Sequence, residues 1–273
     1  MGYHRPVSHF NTGKKSEHVS RKHFTETMVA NHEFNEQYKL CSLSGLQPFT
    51  VLDYPEKVSC IVFTPGCNFR CGYCHNPEFV LPEKIAALRS SFIAEEAFFN
   101  FLDQRGKLLD GVVITGGEPT LMPDLEEFIK KIKSRGLLVK LDSNGNRPGV
   151  LRRLIDNKLL DYIAMDVKTS LPRYQSLVGK LASESQLLES MKLIHESGLP
   201  YEFRTTLVRQ IHTPNVIDEM CNLLKGKKRL YLQGFRCETT LSPTFAGYTG
   251  FNTEETNQIA EKFREFVEEV FVR

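Results

Sequence analysis

From Leu43 onward, short apolar runs alternate with stretches whose apolar positions recur every three or four residues, the pattern of strands alternating with helices. Residues 58–63 (Val-Ser-Cys-Ile-Val-Phe) read as a buried strand, and 111–115, 137–141, 162–167, 201–207 and 229–235 as five more. Between them, 94–105 spaces Phe98, Phe101 and Leu102 as a helix does. The stretch 123–135 sets Leu125, Phe128, Ile129 and Ile132 on one face, with Pro123 suited to a first turn and Gly136 to the position just past a helix end. Helices are also expected over 148–157, 184–197 and 215–224, and an amphipathic helix over 253–270 closes the chain. Six strands alternating with helices imply parallel βαβ units with right-handed crossovers. Reactive residues in such folds gather at the C-terminal ends of the strands.

Residues 1–42 break this pattern. They are polar, lack periodicity and hold five of the eight histidines, but those histidines do not repeat at ligand spacing. The stretch therefore reads as a disordered extension rather than a metal- or partner-binding arm. Residues 43–273 show neither an internal repeat nor a dividing linker and are expected to form one domain.

With 41% hydrophobic and 25% charged residues the composition is that of a globular protein, and a net charge of +2 favours neither nucleic acid nor an anionic membrane as partner. No apolar run approaches a membrane span, and the basic N-terminus has no apolar core for a secretory signal, which points to the cytosol. In that compartment seven cysteines are not a disulfide framework. Cys60 and Cys221 fall in apolar patterns and read as buried small hydrophobes. Cys41 and Cys237 lie in or near loops, where each is a weak candidate for a further metal ligand or a redox thiol.

The remaining three cysteines stand together in Cys67-Asn-Phe-Arg-Cys71-Gly-Tyr-Cys74, with no fourth nearby. An electron-carrying cluster usually takes four cysteines, and a structural zinc site also wants four ligands. Three thiolates suit a cubane iron–sulfur cluster whose fourth iron stays open to a small molecule. His75 follows directly, but adjacent residues chelate one metal poorly, so it is read as a hydrogen-bonding neighbour.

Every other unusual polar motif also ends a strand. Thr115-Gly116-Gly117-Glu118-Pro119 follows the second; its glycines permit close backbone approach, and Glu118 offers a carboxylate to a cationic amine, or is a solvated turn residue. Asp142-Ser143-Asn144-Gly145 follows the third, and either binds ribose hydroxyls or a carboxylate, or is ordinary turn chemistry. Asp166 and Lys168 end the fourth strand on one side of it, as a ligand-binding pair or a structural ion pair. Arg204 in the fifth strand either holds a carboxylate ligand or pairs with Asp166 or Glu202. Gln233 in the sixth either contacts a nucleoside or is a core amide, and Tyr73 either stacks on a base or packs over the cluster.

Taken together, the three cysteines with Tyr73 and the Gly116-Gly117-Glu118-Pro119 run resemble the radical S-adenosylmethionine (AdoMet) superfamily, from about Leu43 to the C-terminus. Segments such as Gly45-Leu-Gln-Pro-Phe-Thr-Val-Leu-Asp-Tyr-Pro55, Ala164-Met-Asp-Val-Lys168 and Tyr201-Glu-Phe-Arg-Thr-Thr206 narrow the likeness to the glycyl-radical-enzyme activases. The resemblance implies a partial (β/α)6 TIM-like barrel. It also implies a [4Fe-4S] cluster on Cys67, Cys71 and Cys74 whose open iron chelates AdoMet. Gly116, Gly117 and Glu118 would hold the methionine amine, while Ser143, Asn144, Asp166 and Lys168 would approach the ribose and carboxylate. Asp142 and Asp166 would flank a monovalent cation. It further implies an electron from a flavodoxin- or ferredoxin-like donor, and a glycyl-radical enzyme as partner, with anaerobic ribonucleoside-triphosphate reductase the one expected. The other readings are a radical enzyme acting on a small molecule or peptide, and an iron–sulfur electron carrier or zinc module.

Overall fold

A computed structural model describes residues 42–74, 76–237 and 240–273. The polar arm expected before Leu43, except its last residue, lies outside the described residues, as do Cys41 and His75. The chain runs through β1 (Ser42–Leu43), β2 (Gly45–Thr50), β3 (Ser59–Thr64), α1 (Pro82–Leu88), β4 (Ile93–Ala94), α2 (Glu95–Arg105) and β5 (Gly111–Gly116). It continues through α3 (Leu125–Lys133), β6 (Leu138–Ser143), α4 (Pro148–Asp156), β7 (Tyr162–Asp166), α5 (Tyr174–Val178) and α6 (Glu184–Glu196). Last come β8 (Tyr201–Leu207), α7 (Pro214–Leu223), β9 (Arg229–Gly234), α8 (Thr253–Arg264) and β10 (Glu269–Val272).

Eight of the strands form one sheet in the order β10-β9-β8-β7-β6-β5-β3-β2. The six strands expected from sequence are β3, β5, β6, β7, β8 and β9, parallel and adjacent in chain order. That is the winding of a (β/α) barrel, left open because its edge strands β2 and β10 do not pair. Both edges depart from the sequence reading. β2 runs antiparallel to β3 and contains Pro48, which lacks an N–H and is tolerated because the strand is at an edge and its register shifts between Gln47 and Thr50. The helix expected over 253–270 begins at an Asn252–Glu255 capping box but stops at Arg264. The backbone N–H groups of Glu268 and Glu269 then donate to Lys227 and Lys228, and the chain zips onto β9 as β10.

Side chains of period two sort the sheet into two faces. Cys60, Val62, Val112, Ile114, Val139, Leu141, Ile163, Met165 and Phe203 pack outward under the helices, with Phe98, Phe128, Ile129 and Leu151 in one large core. The alternate positions point inward. Toward the bottom of the interior, Tyr54, Ile61, Val113 and Tyr162 form a small apolar plug. The same faces carry Lys140, level with Val113 and Tyr162, and beyond it Asp142, Asp166, Glu202 and Arg204, so this register turns an apolar strand pattern into a polar interior. No described helix is long and apolar enough to cross a membrane.

Candidate active site

One cavity at the C-terminal ends of the strands is lined by Cys67, Cys71, Cys74, Tyr73, Gly116, Gly117, Glu118, Asp142, Ser143, Asn144, Asp166, Lys168, Arg204 and Gln233. Every residue expected to hold the cluster or AdoMet is therefore on one wall or another of the same space. Cys237 is exposed and does not line it, while Cys60 and Cys221 are buried in the outer core.

The glycine pair brings two chain segments together. Gly116 has φ +119°, which favours glycine, and a Cβ on Gly117 would lie 1.9 Å from the carbonyl oxygen of Gly66. The Gly117 N–H donates to Thr64 O at 2.8 Å and the Glu118 N–H to Gly66 O at 2.7 Å. The missing side chains thus clear room for the backbone of the cysteine loop itself, which holds Cys67 against the Gly-Gly turn.

Glu118 is buried and tied to the loop after β6. Its Oε1 accepts from the Thr120 N–H (3.1 Å), the Thr120 hydroxyl (2.5 Å) and the Ser143 hydroxyl (2.9 Å); its Oε2 accepts from the Asn144 N–H (2.7 Å). Burial still raises its carboxyl above the usual range, against the pull of those donors. Oε2 has a lone pair to spare. The Ser143 hydroxyl also accepts from the Gly145 N–H, and the Asn144 amide donates to Asn68 Oδ1 at 2.8 Å. These two side chains therefore brace Glu118 and the cysteine loop.

Across the interior runs an alternating ladder of charge. Lys140 Nζ donates to Asp142 Oδ1 (2.6 Å), Arg204 Nη1 to Asp142 Oδ2 (2.8 Å), Arg204 Nε to Asp166 Oδ1 (3.0 Å) and Lys168 Nζ to Asp166 Oδ2 (2.8 Å). Register explains half of it, since Asp166 is the direct neighbour of Arg204 on adjacent strands. Burial alone would raise both carboxyls, but Arg204 with Lys140 or Lys168 more than offsets it, and both are held below the usual carboxylate range. Burial would likewise lower Lys168, yet Asp166 keeps it well above the usual lysine range. Arg204 thus bridges Asp142 and Asp166, the pair expected to flank a monovalent cation, and all four carboxylate oxygens are met by protein cations.

Burial raises all three thiols: Cys71 to about 11, with Lys168 pulling the other way, and Cys67 and Cys74 by burial first as well. Metal ligation would deprotonate them. Tyr73, a residue of the cavity wall, is buried edge-on to Phe235 at 6.5 Å and tilted against Phe245 at 6.0 Å, and its buried hydroxyl has no partner. Sequence reasoning missed Lys140, Thr206 and His212. The first two sit two positions from Asp142 and Arg204 on the same faces, a signal that period two carries. His212 is buried after β8: its Nδ1 accepts from the Val208 N–H at 2.9 Å, and Nε2 lies 3.1 Å from Lys168 O.

The donor set fits a thiolate-held cluster beside a zwitterionic ligand. Three free thiols face a paired ammonium, a guanidinium, a spare carboxylate lone pair and an unsatisfied hydroxyl. Among the described residues no three His, Cys, Asp or Glu side chains converge as a single bound ion requires, whereas a cubane takes each thiolate on a separate iron.

An open parallel barrel with a three-cysteine loop over its C-terminal mouth defines a class of iron–sulfur enzyme, and comparison with known proteins gives the same class. Residues 61–224 match the Radical SAM superfamily. A protein of Methanocaldococcus jannaschii named as a glycyl-radical enzyme activating enzyme is 30% identical over 236 residues, covering 85% of this chain and 95% of its own. A pyruvate formate-lyase-activating enzyme of Staphylococcus epidermidis is 29% identical over 175 residues, 60% of this chain and 66% of that one. The chain belongs to the radical SAM superfamily, on its branch of glycyl-radical enzyme activating enzymes. Solved structures show the same fold at low identity. Streptococcus suis SuiB bound to precursor peptide SuiA has TM-score 0.59 and 13% identity over 97% of this chain and 56% of its own. Escherichia coli QueE has TM-score 0.51 and 14% identity over 89% of this chain and 97% of its own.

Proposed function

We propose that the chain cleaves AdoMet reductively at a [4Fe-4S] cluster held by Cys67, Cys71 and Cys74, and makes a glycyl radical on a partner enzyme, anaerobic ribonucleoside-triphosphate reductase. The observation that carries this reading is the gathering of three free thiols and an unusually rich set of fixed charges around one cavity. The cluster and AdoMet, when bound, supply the one-electron cleavage that yields a 5′-deoxyadenosyl radical and methionine. The electron comes from a flavodoxin- or ferredoxin-like donor.

The chain's own residues bind and orient. Glu118, with the backbone of Gly116 and Gly117, takes the methionine ammonium, whose charge favours the carboxylate form against the burial that raises this group. Arg204 spends one N–H on each of Asp142 and Asp166 and Lys168 spends one on Asp166, which leaves three guanidinium and two ammonium donors for the methionyl carboxylate. Asp166 and Lys168, with Ser143 and Asn144, line the side that receives the ribose. Tyr73 and Gln233 face the adenosine, where the unpaired Tyr73 hydroxyl finds a partner. Because the ladder is already paired, it needs little reorganisation when ligand arrives.

The test is electron paramagnetic resonance on the reductase after anaerobic incubation with this chain, AdoMet and reductant. A glycyl doublet that vanishes when the radical-bearing glycine is replaced by alanine is the expected result. AdoMet cleavage with no protein radical would refute the activase assignment, and a radical on a different glycyl-radical enzyme alone would refute the choice of partner.

A further inference from the structure

Two segments without a single acid meet on the outside of the cysteine loop. Between 64 and 77 the charged residue, histidine aside, is Arg70; between 167 and 183 they are Lys168, Arg173 and Lys180. The segments are docked on one another. The Arg70 N–H donates to Val178 O at 2.7 Å, the rings of Phe69 and Tyr174 meet edge-on at 6.2 Å, and a Cβ on Gly179 would touch Arg70 Cβ at 3.8 Å. Lys168 turns into the cavity, but Arg70, Arg173 and Lys180 are exposed, and no ion pair joins them to an acid among the described residues. Leu181, beside them, is 65% exposed.

Exposed cations that no acid pairs raise a local positive potential that steers an acidic partner. The Arg70 charge is also held still, because Nη1 donates to the carbonyls of Cys67 (2.5 Å) and Phe69 (2.8 Å). Arg70 Nη1 lies 2.5 Å from the carbonyl oxygen of Cys67, so a carboxylate paired with that guanidinium stands roughly 15 Å or less from metal on the Cys67 thiol.

We propose that this outer face of the cysteine loop is the docking site of an acidic one-electron donor protein, with Arg70, Arg173 and Lys180 pairing with its carboxylates around Leu181. The proposal rests on the cluster assignment above. A glycine must enter the cavity to react, whereas an electron needs only proximity, and this face supplies proximity without obstructing the cavity. In the transfer one electron leaves the donor, which is oxidised by one, and reduces the cluster by one; no atom or proton moves.

The test is the double variant Arg173→Glu/Lys180→Glu, reconstituted with its cluster and mixed with flavodoxin hydroquinone as the probe. Bleaching of the cluster is followed by stopped flow without AdoMet. Wild type is expected to bleach quickly at low salt and more slowly as salt rises. The variant is expected to be slower at low salt by about tenfold or more and nearly insensitive to salt. Dithionite is expected to reduce both to the same extent. Flavodoxin association with the cluster-free chain is expected to weaken in parallel, which separates failure of the docking face from failure of cluster assembly. Equal rates and equal salt dependence in the two proteins would overturn the proposal. So would a variant that accepts electrons normally but no longer binds the glycyl-radical enzyme, which would assign the face to that partner.

Discussion

Replacing Gly117 with alanine is expected to damage fold and cluster site together. The added methyl would lie 1.9 Å from Gly66 O, 2.6 Å from Gly66 C and 2.9 Å from Phe79 O. All three are backbone atoms, so no rotamer change relieves the clash, and one segment must retreat by about 1 Å or more to restore ordinary contact. That retreat strains or breaks the Gly117–Thr64 and Glu118–Gly66 hydrogen bonds. Overpacking costs about 1–3 kcal/mol, and two weakened backbone bonds add about 1 kcal/mol each, for a loss of about 3–5 kcal/mol. Urea denaturation of the cluster-free chain, followed by circular dichroism, is expected to show the midpoint falling by roughly 1–2 M at unchanged slope. Because Gly66 precedes Cys67, iron uptake on reconstitution is expected to fall as well. Gly149→Ala is the control: its Cβ would meet nothing within 4 Å, and it lies in α4, where alanine is the better helix former. A Gly117→Ala protein as stable as that control, with full iron, would show that the Gly-Gly turn and the cysteine loop are not held as described.

Arg204→Ala leaves Asp142 and Asp166 with one cation each in the interior, so we expect a stability loss of about 3–5 kcal/mol and AdoMet binding weakened at least tenfold by calorimetry; Arg204→Lys keeps the charge but cannot bridge both carboxylates and should rescue only part. Exchange of potassium for sodium should leave wild-type AdoMet affinity within about twofold, because protein cations already meet both carboxylates; a strong potassium requirement would show that Arg204 yields its place. His212, whose pKa burial depresses below 6.5, stays neutral in the fold while the unfolded chain takes up a proton. Stability should therefore be fully present above pH 6.5 and fall by up to about 1.4 kcal/mol per unit below it, until the folded ring also protonates. Denaturation of His212→Gln across the same range should lack that component of the slope, and an identical slope would show that His212 titrates normally.

Much of this architecture was legible in the sequence because the outward face of each parallel strand is continuously apolar and each polar motif marks where a strand ends. Val112 and Ile114, or Val139 and Leu141, announce buried strands without any knowledge of their neighbours. The edges were hidden for local reasons. Pro48 argues against a strand unless it is known to lie at an edge, and Val267 and Val270 continue a helical spacing from Phe263 that only pairing with β9 overrides. The identity of the site residues was readable, but their partners were not. Arg204 offers itself equally to Asp166 or Glu202 along the chain, and its bridge to Asp142 comes from a strand two places away. Lys140, a lysine in an apolar run, looks solvent-facing until the register sets it inside, 2.6 Å from Asp142. Glu118 suggested a free carboxylate, and only the meeting of two loops shows it already holding Ser143 and Asn144.

The proposed activity requires three thiolates to hold an iron–sulfur cluster at which AdoMet is cleaved. The most direct measurement is anaerobic reconstitution with iron and sulfide, then addition of AdoMet and dithionite with chromatographic detection of 5′-deoxyadenosine. The wild-type chain should take up about four irons, absorb broadly near ~400 nm and release 5′-deoxyadenosine, while Cys71→Ala should do none of these. A wild-type chain that instead binds zinc, or carries a cluster indifferent to AdoMet, or a Cys71→Ala protein that cleaves AdoMet as well as its parent, would contradict the account.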